Sequence, residues 1–216
     1  MRTAIITAAG SGSRFGAKKQ FEKLNNKLVI DYSVEFFNAL GFDIIITVPK
    51  EDVDFVQERF SFAKVVEGSI ERFFSVYNGL KLVSDDIVLI HDAVRPILNK
   101  EKILELLNKV YEKKSAILAI KCTDTLKFVQ DDYIKFTIKR DSIFCAQTPQ
   151  GFDAKLLKIA FNKALNDNLI FTDEASLWEH YISSVAIVEG YRYNIKITTK
   201  EDLKLASCIL NNDIVL

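Results

Sequence analysis

The chain has 216 residues, enough for one large domain or two small ones, with the 49% hydrophobic and 27% charged content of an ordinary globular protein. Lys plus Arg and Asp plus Glu both number 29, so no net field recruits nucleic acid or an anionic membrane, and neither is expected as a partner. Three scattered cysteines (Cys122, Cys145, Cys208) and two histidines argue against a disulfide framework or a structural zinc site.

The first element is a short apolar run, Ala4-Ile5-Ile6, that empties into Ala8-Ala9-Gly10-Ser11-Gly12-Ser13 and then into Arg14, Lys18 and Lys19. A strand ending in a glycine-rich turn leaves backbone N–H groups free to surround phosphate oxygens, and the cations add charge. A polyphosphate site is the first expectation; a flexible connection with a solvated basic patch is the plain alternative. The dinucleotide fingerprint does not fit, because Gly16 falls one residue late, and no register gives the P-loop spacing.

A helix is expected from Asp31 as N-cap, with Val34, Phe37 and Leu40 as its stripe and Gly41 as its stop. The run Ile44 to Val48 reads as a strand, Val53, Val56 and Phe60 as a helix, and Lys64-Val65-Val66 as a strand entering Gly68-Ser69. Phe73, Val76, Leu80 and Val83 mark another helix. Ile87 to Ile90 is a fully buried strand whose far end carries His91-Asp92-Ala93-Val94-Arg95-Pro96. Asn99 caps a helix over Ile103 to Val110, and Ile117 to Ile120 is strand-like again.

Continuous apolar strands alternating with amphipathic helices indicate an α/β domain with a mostly parallel central sheet. Ligands of such sheets sit beyond the carboxyl ends of the strands, where the glycine-rich loop, Gly68-Ser69 and Asp92 to Arg95 would converge.

From Lys121 the rhythm changes. Cys122 to Val129 and Tyr133 to Lys139 read as a β-hairpin, either an arm toward a partner chain or an extension of the sheet edge. Gln147-Thr148-Pro149-Gln150 follows Phe144 to Ala146, then come a helix over Leu156 to Leu165 and a helix opened by Thr172-Asp173-Glu174. Val185 to Val188 and Asn194 to Thr198 read as strands, and a last helix begins at Thr199, with Asp202 placed for a capping box. Residues 1–216 are read as a single domain with 121–142 as an arm. No apolar run approaches the ~20 residues of a membrane span, and no signal segment is evident, so the expected location is cytoplasmic.

Asp92 suits a Mg²⁺-bound nucleotide, since Mg²⁺ takes one or two carboxylates plus phosphate oxygens; pairing with Arg95 is the structural alternative. Arg95 offers a fork for a second phosphate. His91 reads as a packed strand-end residue, Asp173 as a helix-start residue, and Lys196 as either solvated or aimed at the rim.

Taken together, these motifs resemble the 2-C-methyl-D-erythritol 4-phosphate cytidylyltransferase family of the non-mevalonate isoprenoid pathway. The resemblance rests on Ala8 to Arg14, Lys19-Gln20, Glu71-Arg72 with Ser75-Val76, His91 to Pro96, Asp124-Thr125 and Arg140. It continues through Gln147 to Gln150, Thr172 to Ser176, Glu189-Gly190 and Asn194-Ile195-Lys196, and so spans nearly the whole chain. It implies a Rossmann-like nucleotidyltransferase fold with a protruding β-hairpin arm, acting as a homodimer through that arm. It further implies cytidylyl transfer from CTP to a sugar-alcohol phosphate, 2-C-methyl-D-erythritol 4-phosphate, giving 4-diphosphocytidyl-2-C-methyl-D-erythritol and pyrophosphate. By position, Gly10 to Gly12 and Arg14 would surround the triphosphate. Arg14, Lys19 and Lys196 would be catalytic, and Asp92 would hold Mg²⁺. Ala8, Ala9, Gly68, Ser75 and Ala93 would line the cytidine pocket. Arg95 would bind the acceptor, with Thr125 and Arg140 reaching it in the neighbouring subunit.

The sequence departs from the family pattern in three places. Lys18 stands where Pro usually precedes the lysine, in a loop shorter than usual. Gly68-Ser69-Ile70 replaces a glycine pair, and Arg192-Tyr193 precedes Asn194 where an acidic residue is common. Val94 and Tyr193-Asn194 also resemble the sister ribitol-5-phosphate cytidylyltransferases, whereas Thr125 and Thr172 to Ser176 favour the methylerythritol enzyme. A non-catalytic nucleotide-binding module is disfavoured by the joint presence of Arg14, Lys19, Asp92 and Lys196.

Overall fold

The structure is a computed structural model that describes residues 2–10, 12 and 15–211. In chain order the elements are β1 (Arg2–Thr7), β2 (Lys23–Leu24), β3 (Lys27–Leu28), α1 (Val29–Ala39), β4 (Asp43–Val48), α2 (Val53–Arg59), β5 (Lys64–Glu67) and α3 (Arg72–Leu80). They continue with β6 (Ile87–Asp92), α4 (Lys100–Lys113), β7 (Ser115–Lys121), β8 (Leu126–Gln130), β9 (Tyr133–Ile138) and β10 (Phe144–Asp153). The last are α5 (Ala154–Asn166), α6 (Glu174–Tyr181), β11 (Ala186–Glu189) and α7 (Lys200–Asn211).

The central sheet has seven strands in the order β11-β7-β10-β6-β1-β4-β5. All its pairings are parallel except those of β10, which runs antiparallel to both β6 and β7. The apolar strands are continuous runs because both faces are covered. Ala4 and Ile6 of β1 face one layer with α1, α2 and α4. Ile5 faces the other, with α3, α5 and α6. Period-two alternation between two buried faces leaves no polar position in the middle of the strand. A smaller cluster, including Phe15, Val94, Ile97 and Ile197, seats α7 beside the sheet's carboxyl rim.

From β1 the chain crosses to β4 and β5 on one side, then returns to lay β6 on the other. The connections therefore diverge between β1 and β6, the place where α/β sheets open a crevice for ligands. Thr7 and Asp92 are register partners at that point.

Several expectations need correction. Helix α1 starts before Asp31, which lies in its first turn; Asp31 Oδ2 accepts from the Leu28 backbone N–H at 2.8 Å, and Arg59 clamps the carboxylate. Asn194 to Thr198 is not a strand. Only isolated bonds tie it down, chiefly Ile197 N–H to Val94 O, so it lacks the ladder that its alternation suggested. Conversely, Phe144 to Asp153, to which the sequence pattern assigned no element, is one long strand. Asn99, Asp173 and the Thr199/Asp202 box all cap as expected.

The hairpin β8–β9 pairs only with itself among the described strands. Its tight turn places Asp131 and Asp132 at φ 51° and 63°. Two successive positive φ values give the turn whose twist matches that of paired strands. Its side chains are largely exposed, including Phe128, Val129, Tyr133, Ile134 and Phe136.

Candidate active site

A cavity of about 260 Å³ opens at the β1/β6 crevice, lined by Thr7 to Gly10, Gly12, Lys19, Gln20, Ser69, Ile70, Arg72, Ser75, Asp92, Val94 and Lys196. Its floor is backbone. The Ala8 N–H donates to Thr47 O at 2.8 Å and the Gly68 N–H to Val48 O at 2.7 Å, carrying the sheet's hydrogen bonding to the rim. Gly68 is needed for close packing, because a Cβ there would lie 2.5 Å from the Ala9 Cβ. Gly12 is needed for conformation and space alike: its φ is +67°, and a Cβ would lie 1.8 Å from Ala17 O.

Gln20 fastens the glycine-rich loop from below. Its buried amide donates to Ala8 O at 2.8 Å and to Gly10 O at 3.2 Å, so both carbonyls are engaged. Lys18, where the family pattern has Pro, points outward and bridges Glu51 at 2.8 Å and Asp52 at 2.6 Å. Lys19 opens a single 3-10 turn beside it and lines the cavity. Ser75 accepts from the Ser69 N–H at 2.8 Å and donates to Ser69 O at 3.0 Å, fixing the turn after β5.

The charged centre is built around Asp92, which is 5% exposed. Its Oδ1 accepts from Arg72 Nε at 3.0 Å and from the Thr7 hydroxyl at 3.3 Å. Its Oδ2 accepts from Lys196 Nζ at 2.6 Å. Burial opposes ionisation of Asp92, but Arg72 and then Lys196 outweigh it and hold the carboxyl well below the usual range. The structural alternative for Asp92, an ion pair with Arg95, does not form. Arg95 Nη1 instead donates to Asn194 O at 2.6 Å, and burial lowers that guanidinium's pKa.

His91 is the packed strand-end residue expected. It is fully buried against Phe37, and its Nε2 contacts Arg95 O at 3.1 Å. A carbonyl can only accept, so Nε2 carries the proton and Nδ1 accepts from the Thr148 hydroxyl at 3.0 Å. The Thr148 oxygen in turn accepts from the Asp92 backbone N–H at 3.1 Å, which ties the ring to the rim without making it a base. Burial pushes His91 down to about 4 from 6.5. Because the folded value is depressed, this contribution to stability is complete above pH 6.5 and is lost as pH falls toward 4, up to about 3 kcal/mol in all. Glu174, raised by burial, works in the opposite sense nearby. The expected result is therefore differential: urea unfolding from pH 7 to 4.5 falls more steeply for the native chain than for His91→Gln. Parallel curves would remove His91 as the cause.

Of the sequence-expected residues, Ala8, Ala9, Gly10, Gly12, Lys19, Ser75, Asp92 and Lys196 meet at the cavity. Gly68 lies beneath it, and Ala93 is wholly buried behind it. Arg95 stands outside the lining. Thr125 and Arg140 are exposed at the root of the hairpin, where Arg140 donates to Thr123 O. Arg14 lies outside the described residues. Ser69, expected at the rim with Gly68, also lines the cavity. Sequence reasoning assigned no role to Thr7, Gln20, Ile70, Arg72 or Glu174; of these, Gln20, Arg72 and Glu174 stood within motifs already singled out.

The sequence profile of the 2-C-methyl-D-erythritol 4-phosphate cytidylyltransferases matches residues 2–212. The chain belongs to this family. It is 39% identical to the family's enzyme from Clostridioides difficile (strain 630), covering 98% of this chain and 94% of that one. It is 42% identical to that from Endomicrobium trichonymphae, over 97% and 98% of the two chains. The solved structure of 4-diphosphocytidyl-2C-methyl-D-erythritol synthase from Anaerococcus prevotii DSM 20548 superposes with a TM-score of 0.84 at 34% identity, covering 97% of this chain and 98% of that one. Family membership makes the chain a cytidylyltransferase with a mixed α/β nucleotidyltransferase fold.

Proposed function

We propose that the chain transfers the cytidylyl group of CTP to 2-C-methyl-D-erythritol 4-phosphate in isoprenoid precursor synthesis. The observation that carries this reading is the meeting of the glycine-rich loop, Lys19, Asp92 and Lys196 in one cavity at the β1/β6 crevice. An oxygen of the acceptor's phosphate attacks the α-phosphorus of CTP, a new P–O bond forms, and pyrophosphate leaves. The attacking oxygen is already anionic, so no general base is required, in keeping with a buried, neutral His91. Backbone N–H groups of Gly10 and Gly12, with Arg14, receive the triphosphate. Arg14, Lys19 and Lys196 stabilise charge building on the α-phosphoryl oxygens. Ala8, Ala9, Gly68 and Ser75, backed by Ala93, shape the nucleoside end.

The donor set suits Mg²⁺ delivered with the nucleotide. Asp92 offers one carboxylate at the rim, and no cluster of three ligating side chains occurs among the described residues. One carboxylate plus phosphate oxygens is this ion's habit, and there it would neutralise phosphate charge. Asp92 would hold it, and Lys196 would turn from Oδ2 to the reacting phosphates.

Arg95, Thr125 and Arg140 serve the acceptor, the last two across a homodimer. The apolar exposure of the hairpin supports a partner chain: Tyr133 is 73% exposed and Ile134 62%. The three free thiols accord with a cytoplasmic enzyme.

The deciding experiment measures pyrophosphate release with CTP and Mg²⁺, comparing methylerythritol 4-phosphate with ribitol 5-phosphate. Strong preference for the former is expected. Preference for the latter would move the acceptor specificity to the sister activity, and no release with either from a folded, CTP-binding protein would overturn catalysis.

A further inference from the structure

Asp92 is tied into an ion-pair network with two members, Arg72 and Glu174, that the proposed mechanism does not use. Arg72, in the first turn of α3, reaches two carboxylates on different elements. Its Nε donates to Asp92 Oδ1 at 3.0 Å, at the end of β6, and its Nη1 donates to Glu174 Oε1 at 2.7 Å, at the start of α6. Glu174 is only 2% exposed and lies outside the cavity lining. It is fixed from behind: Asp173 caps α6 through the Ser176 N–H at 3.0 Å, and Gln150 on β10 both donates to Asp173 Oδ2 at 2.9 Å and accepts from the Ala175 N–H at 3.0 Å.

The geometry points to Glu174 as a positioning residue for nucleotidyl transfer: acting through Arg72, it orients the Asp92 carboxylate and leaves it enough negative charge to receive a nucleotide-borne divalent cation. Asp92 pairs directly with two cations, Arg72 and Lys196, and Glu174 is the second carboxylate that pairs with Arg72. Without Glu174, Asp92 would be the one carboxylate in direct ion pairs with both cations and would attract a third poorly. A buried ion is also costly unless paired, so Glu174 keeps the guanidinium from closing wholly onto Asp92. By sharing the guanidinium, Glu174 confines Arg72 to one edge of Asp92, and Oδ2 keeps its direction toward Lys196 and the opening. Partners that orient a ligand in this way commonly change metal affinity or activity about 10- to 100-fold when removed.

This inference rests on the cytidylyltransferase reading and its metal, and the test separates the two. Mn²⁺ binding is measured by electron paramagnetic resonance on the full-length protein with CTP and no acceptor, alongside CTP binding in EDTA. For Glu174→Gln, Mn²⁺ affinity is expected to fall about tenfold, while metal-free CTP, an anion meeting one added positive charge, binds as tightly as before or several-fold tighter. Merely loosened structure would weaken both. Glu174→Asp, which keeps the charge, is expected to hold Mn²⁺ within about threefold of the native chain, and it is the variant read if Gln prevents folding. Unchanged Mn²⁺ affinity in Glu174→Gln, parallel loss of both ligands, or a tenfold loss in Glu174→Asp would overturn the inference. Failure of the native chain to bind Mn²⁺ with CTP would overturn the metal reading and the inference with it.

Discussion

Asp92→Asn is expected to lower turnover about 10³-fold, equivalent to ~4 kcal/mol of lost transition-state stabilisation, while the protein stays folded. The substitution keeps the shape of the side chain and removes its charge. In the native chain that charge is held ionised against burial by Arg72 and Lys196. Asn cannot replace it, since a neutral amide oxygen neither attracts a divalent cation strongly nor anchors two cationic side chains. The fold is expected to persist because Arg72 retains Glu174 and Lys196 is 41% exposed at its side chain, so neither cation is left buried alone. Single-turnover pyrophosphate release at saturating CTP and Mg²⁺ is the measurement, with thermal unfolding as the control. A rate within tenfold of the native chain would remove Asp92 from the reaction centre and leave it a structural ion-pair partner. A large drop in melting temperature with the rate preserved would say the same more strongly.

The parts of the molecule that were readable from sequence are those whose physics is local. Strands β1, β4, β6 and β7 declare themselves because a strand buried on both faces must be apolar throughout. The glycine-rich loop, Lys19, Asp92 and Lys196 could be placed because each follows a recognisable strand or motif. Strand β10 was hidden because its middle is polar: Gln147, Thr148 and Gln150 are at most 6% exposed, yet each is satisfied by a side-chain hydrogen bond to a distant element. Composition reads such residues as loop; only the tertiary partners make burial tolerable. Asn194 to Thr198 misled in the opposite direction, having strand-like alternation and no neighbouring strand to pair with. The link from Asp92 through Arg72 to Glu174 joins positions up to 102 residues apart, and no spacing rule can propose it. Arg95 shows the limit of carrying a role by position. The residue sits where the motif puts it, but its guanidinium is committed to Asn194 O and lies outside this chain's cavity.

Trp178→Ala is expected to destabilise the fold by about 3–5 kcal/mol, the range for truncating a large buried aromatic. Trp178 is 1% exposed and tilts against Phe152 of β10 with ring centroids 5.3 Å apart. It belongs to the core layer formed by α3, α5 and α6. Its indole N–H donates to Ser183 Oγ at 3.3 Å, so the ring is both packed and satisfied. Removal deletes apolar contacts and leaves a cavity in this core layer. The consequence should extend beyond stability, because Trp178 lies one helical turn from Glu174 and pins α6 to the sheet. If α6 is what holds Glu174 against Arg72, the variant should lose Mn²⁺ affinity along with stability, even well below its melting temperature. Urea unfolding with Mn²⁺ titration at 15 °C tests both. A loss of stability near 4 kcal/mol with native metal affinity would show that the first turn of α6 is held by the Asp173 cap and Gln150 alone. A loss below 1 kcal/mol would show that the core repacks around the deletion.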